Sequence, residues 1–190
     1  GMDPAVVEHE RQASEYASPD ALDQPLEDWA AVVAACVVVD GALSVALEGF
    51  SEGVYEPTRS RIPKMLAEEA FHDDLGTAWF RNLAGGSEEG RARLRDAVLS
   101  MLPSTLAWLM PGDEVGEAQT GSGLVSEGKV LHERFLERYG ALLALVDVDV
   151  AAVEPDRDGW DSERGRGPGH PDDEAVARAR GDLNRMLLVE

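Results

Sequence analysis

The sequence predicts an all-α fold, an antiparallel helix bundle, on three observations. Apolar residues make up 44% of the chain and aromatic residues only 6%, a balance that suits a core of Ala, Val and Leu. That apolar content is concentrated in four long segments, each bounded by capping or breaking residues. No alternating pattern exceeds VDVDV at 146–150, and there the preceding helix is expected to run on. With 190 residues the chain is long enough for one domain with a real core.

Each element follows from its boundaries. Residues 1–24 are a polar lead-in, and Gly1 ahead of Met2 reads as a remnant of tag removal. Pro25, Glu27 and Asp28 open the first helix, with proline in its first turn and acids at the positive end of its dipole. That helix runs to about Phe50 and breaks at SEGVYEP. A second begins near Thr58, tolerates Pro63 in its first turns, and stops at Gly85-Gly86. Ser87, Glu88 and Glu89 open a third, which is expected to bend at Pro103. Residues 111–124 read as a loop. The fourth helix, 125–146, carries Leu131, Phe135, Leu136, Leu142 and Leu143 on its apolar side. The helical domain is therefore expected over 25–150, followed by a linker at 151–171, too polar to pack, and a final helix over 172–190 that starts at Asp172.

The charge balance narrows the function. A formal charge of −20 opposes binding to nucleic acid or to an anionic membrane through a general surface field. Lys64 and Lys129 are the only lysines, and an acidic, lysine-poor surface suits concentrated salt, although high-GC codon usage would give the same bias. The longest apolar run, Ala30 to Val39, is too short to span a bilayer, and no charged-then-apolar leader precedes it. Cys36 stands alone within that run and reads as a small core residue. A soluble cytoplasmic protein is the expectation.

The chemistry centres on Glu69 and His72. Positions three apart share a helix face, so both side chains can reach one metal ion, although that spacing alone is weak. Asp40 strengthens it. It sits in AACVVVDGALSVAL, where a buried unpaired carboxylate costs several kcal/mol and demands a partner. If the first two helices are antiparallel about a turn near 54–55, residue 40 faces about 69, with His72 one turn further on. Glu48 then falls near Arg59 or Arg61, Asp73 and Asp74 point to solvent, and Glu68 lies about 100° from Glu69. His9, His132 and His170 sit in polar settings and are poor ligand candidates. Lys64, just before Glu69, is a candidate to bind an anionic substrate group, with an ordinary surface lysine as the alternative. Mixed carboxylate and imidazole donors suit iron or manganese. Ferritin-like carboxylate bundles take one acid from each of two helices and Glu-x-x-His from each of two others, so this pair supplies half the set.

DWAAVVAACVVVDGALSVALEGFSEGVYEPTRSRIPKMLAEEAFHDDLGTAWFRNLAGG, continuing into EEGRARLRDAVLSMLPSTLAWL, resembles the phenylacetyl-CoA epoxidase family, the ferritin-like subunits of bacterial phenylacetic acid degradation. The likeness is best over 26–110, extends to 145, and is to the second half of those subunits. It implies a di-iron centre that activates dioxygen to epoxidise the ring of a CoA thioester. Asp40 matches the family's acid on the third bundle helix, Glu69 and His72 its Glu-x-x-His on the fourth, and Lys64 a basic position before it. The family's first-half ligands have no counterpart before Leu26, where Glu8-His9 has the wrong spacing. Three arrangements remain open: a homodimer sharing one di-metal site, a second subunit supplying the missing half, or a metal-free structural or CoA-thioester-binding subunit.

Overall fold

The computed structural model describes residues 11–182. Among these there is no strand, only one isolated antiparallel bridge between Asp161 and Arg166, and the fold is an all-α bundle. Its elements are α1 (Trp29–Ser51), α2 (Glu56–Arg59), α3 (Ile62–Ala84), α4 (Glu88–Leu109), α5 (Glu114–Gly121), α6 (Gly128–Leu143) and α7 (Asp173–Ala179), with short 3-10 turns before α1 and between α6 and α7.

Capping residues set the starts. Asp28 accepts a hydrogen bond from Ala31 N at 2.9 Å, so it caps α1 rather than sitting inside the helix's first turn as expected. Ser87 caps α4 through Gly90 N, and Asp113 caps α5 through Gly116 N at 2.7 Å. That second cap turns part of the expected 111–124 loop into a helix. Pro63 falls at the start of α3, where its missing N–H would have no helical partner. Pro103 lies inside α4, which continues through it. The fourth long helix starts at Gly128, three residues later than expected, and passes into a 3-10 turn ending at Asp147 in the left-handed region (φ 58°). VDVDV forms no strand.

The fold is organised around α1. Val33, Val37, Val38, Ala42 and Val45 are buried against α4 and α6, whose Leu94, Val98, Leu102, Leu106, Phe135 and Leu143 fill the core. By length and composition α1 is apolar enough to cross a bilayer, longer than the Ala30–Val39 run suggested, but most of it is buried inside the bundle. Two glycines allow its close neighbours. A Cβ on Gly41 would stand 2.7 Å from the Tyr139 ring, and one on Gly76 would stand 3.0 Å from Cys36 Cβ. Gly41 lets α6 approach α1, and Gly76 lets α3 do so.

The segment expected to be an unpacked linker folds back on the lead-in. Arg166 is fully buried and pairs with Asp20 at 2.6 Å and with Asp23, while its other terminal nitrogen donates to Ser18 at 2.9 Å. Trp160 Nε1 donates to Asp113, tying the same segment to the start of α5. Sequence polarity misleads here because one arginine with matched carboxylates makes polar chain packable. At the C-terminus α7 is capped by Asp172 and ends at Ala179, with Gly181 at φ 75°. The remainder of the expected 172–190 helix, residues 183–190, lies outside the described residues, as do Glu8 and His9.

Removing the guanidinium leaves Asp20 and Asp23 facing each other without a cation. Arg166→Met is expected to destabilise the protein by about 3 kcal/mol or more. Adding Asp20→Asn and Asp23→Asn should recover part of that loss, both read from urea midpoints.

Candidate metal centre

α1 and α3 lie side by side and antiparallel, with Cys36 against Gly76 and Asp40 level with His72. The expected register put Asp40 opposite Glu69. The one-turn difference comes from α2, which lengthens the connection and moves its centre. Both residues of Glu-x-x-His still reach Asp40, because they share a face of α3.

Each of Asp40, Glu69 and His72 offers a ligand atom, and these atoms all lie within 4.8 Å of one another. His72 Nδ1 is 3.3 Å from Glu69 Oε2 and 3.8 Å from Asp40 Oδ2. The site is buried on one side and open on the other: the Glu69 and Asp40 side chains are 19% and 30% exposed, and His72 is 61% exposed. Burial, and then the neighbouring Glu69 charge, raise the Asp40 pKa, while His72 partly offsets them. Two acids pressed together beside an imidazole fit a cation, and the oxygen and nitrogen donor set fits iron or manganese.

Other residues buttress the trio. Tyr139, on α6, donates its hydroxyl to Asp73 Oδ1 at 2.8 Å, so Asp73 is half-buried rather than solvated. Burial, followed by that carboxylate, keeps the hydroxyl protonated well above the usual tyrosine range. This bond pins α3 one residue from His72. Tyr139 escaped the sequence reading, though a tyrosine four residues after Phe135 on a core stripe signals a buried hydroxyl in need of a partner. Glu48 pairs with Arg138 at 2.6 Å, not with Arg59 or Arg61, because the second helix's late start carries those arginines away. Cys36 is half-buried one turn before Asp40, and burial and the Asp40 charge raise its thiol pKa. Lys64 is exposed and pairs with Glu68 at 3.9 Å. His132 and His170 do not join the trio, and the His170 ring lies 2.9 Å from Pro171 O.

Around the trio the face is apolar and uncovered. Trp29, Leu43 and Phe50 of α1 and Met65, Leu75 and Trp79 of α3 are all exposed, and Trp29 and Trp79 meet edge to face at 5.3 Å. α4 and α6 cover α1 from elsewhere and bring no acid or histidine to the cluster. A groove of about 900 Å³, lined by Trp108, Met110, Val115 and Leu131 and sharing Phe50 with that face, opens between α5 and the ends of α1, α4 and α6.

An all-α bundle with an acid on one helix facing Glu-x-x-His on the next belongs to the ferritin-like carboxylate class. The chain matches the family model described as phenylacetic acid catabolic protein over residues 3–180, and it belongs to that family. The match is wider than 26–145 and gives no support for likeness to a second half alone. Comparison with curated proteins gives no match.

With no cation present, Asp40 is charged only against burial and Glu69. Asp40→Asn should therefore raise the melting temperature of metal-free protein at pH 7 by about 2–4 °C. A raised carboxyl pKa favours folding at low pH, so the gap between variant and wild type should close as pH falls and Asp40 takes up its proton. Thermal scans from neutral to acid pH check both the shift and its sign.

Proposed function

We propose that this chain is a subunit of a carboxylate-bridged di-iron oxygenase or oxidase acting in phenylacetic acid catabolism, with Asp40, Glu69 and His72 holding the metal. The observation that carries the reading is the convergence of these three donors, within 4.8 Å, in the middle of an apolar face of a member of that family. Iron is the metal expected, with manganese as the alternative fit to the same donors. Bound iron supplies electron transfer to dioxygen, which no side chain of this protein offers.

The chain's own residues bind and orient. Asp40 and Glu69 bring the negative charge that holds a divalent cation, and His72 presents Nδ1 toward both acids. The Tyr139–Asp73 hydrogen bond fixes the stretch of α3 that carries His72. Leu43 and Leu75, three residues from Asp40 and His72 on their helices, exclude water from the site once the face is covered. The remaining ligands come from another chain, a second copy or a different subunit. A CoA thioester is the substrate class, and Lys64, an exposed cation just ahead of the site, is suited to its phosphates. Such a charged substrate sets the protein in the cytoplasm.

A second reading is favoured by the 900 Å³ groove, which contains none of the three ligands. In it the chain is a metal-free structural or CoA-thioester-binding subunit, and Asp40, Glu69 and His72 only hydrogen-bond one another.

Elemental analysis of protein purified without chelators or a histidine tag separates the two. The expected result is about one iron or manganese per chain, half of a two-metal bundle site. Asp40→Ala and His72→Ala should each lower the retained metal at least tenfold. Protein that takes up no metal even after anaerobic loading with ferrous iron would sink the metalloenzyme reading in favour of the second.

A further inference from the structure

We propose that the open face of α1 and α3 is the contact surface of a symmetric dimer of this chain, in which each copy gives Asp40, Glu69 and His72 to one shared two-metal centre. The inference rests on the metal-holding reading above and names the partner that completes the site.

The first argument is stoichiometric. A two-metal carboxylate bundle requires two acid helices and two Glu-x-x-His helices. α1 and α3 supply one of each, and among the described residues no other group of acids and histidines converges. A twofold operation doubles this half-set into the whole, and isologous dimers are the commonest oligomers.

The second argument is positional. Asp40 is the middle residue of the 23 in α1, and His72 lies one residue from the middle of the 23 in α3. A twofold axis lying in the contact plane and crossing the helices at the ligands exchanges their ends. Because the ligands are central, both helices are then covered along their whole length. Ligands near one end would leave half of each helix bare. The same operation lays the Trp29–Trp79 end of one copy over the Phe50–Met65 end of the other, apolar on apolar at both ends.

The third argument is area. Helices of 23 residues are about 34 Å long, and a packed pair is roughly 20 Å wide. That gives on the order of 650 Å² per copy before side-chain relief, close to the roughly 800 Å² per partner of a standard interface. The exposed Leu43 and Leu75 beside the ligands, with Phe50, Met65 and Trp79 toward the helix ends, give this area the apolar content that a stable interface needs.

Charge sets the conditions. Each copy carries a formal −20, and closing the face brings two copies of Asp40 and Glu69 together. Cations at the centre neutralise those acids, and salt screens the remainder. Dimerisation is therefore linked to metal: whatever binds only the dimer shifts the equilibrium toward it.

The test is sedimentation equilibrium of the full chain in about 1 M KCl, near the salt at which charge repulsion is screened within ~3 Å. It is run with and without manganous ion and paired with electron paramagnetic resonance of the same samples. The expected result with manganese is twice the 20.5 kDa chain mass and the spectrum of an exchange-coupled pair. Leu75→Arg should give a monomer of unchanged helicity with manganese affinity at least tenfold weaker. Leu145→Arg, also at an exposed leucine but in the 3-10 turn after α6, should leave the dimer intact. A chain that binds manganese as a monomer, with the six-line spectrum of isolated ions, overturns the dimer and leaves the metal reading standing. A dimer insensitive to both Leu75→Arg and Trp79→Arg overturns the assigned surface. A Leu75-sensitive dimer that holds no metal overturns the shared centre together with the metal reading.

Discussion

The structure depends on keeping α1 out of water. Its twenty-three residues are apolar on nearly every side, and three helices are spent covering them. Gly41 and Gly76 are the places where cover comes closest, one admitting the Tyr139 ring and the other bringing α3 down onto Cys36. Within such a helix a carboxylate is an anomaly. Asp40 is tolerated because it lies at the margin of the covered surface, and its raised pKa records burial and the Glu69 charge, which the neighbouring His72 offsets only in part.

That incompleteness is the link between packing and chemistry. Asp23, by contrast, is paired directly with the buried Arg166. Asp40 instead faces a second acid and an imidazole that also turns outward. On the metal-holding reading, folding energy is given up locally to leave donor atoms free, a trade seen where polar groups are kept for binding rather than for cohesion. Tyr139, Asp73, Glu48 and Arg138 limit the damage by bracing the two helices from behind.

Much of this was legible in the sequence, and the failures share a cause. Helix identity followed from caps and periodicity, which are local. The clustering of Asp40, Glu69 and His72 was legible because Asp40 broke an apolar pattern and Glu69 and His72 share one face. Register was off by a turn because the link between α1 and α3 contains a helix of its own, and loop length counts residues rather than shape. Glu48 and Asp73 were given the wrong surroundings because their partners, Arg138 and Tyr139, arrive from α6, ninety and sixty-six residues away. The packed 154–171 segment was invisible for the same reason. Its polarity is real, but Arg166 is answered by acids near the opposite end of the chain.

That last contact also says something about the order in which the molecule is made. Arg166 reaches Ser18 across 148 positions, whereas α1 and α3 meet through a short connection. Loop-closure entropy makes the near contact accessible early and the far one only after the intervening helices have already brought the ends together. Loop closure thus favours the α1–α3 hairpin forming ahead of the arginine clasp, which acts as a late latch. Opening the latch would release the contact between residues 18–23 and Arg166 while the α1–α3 hairpin stays assembled, so the Asp40, Glu69 and His72 cluster is insulated from local opening elsewhere in the fold.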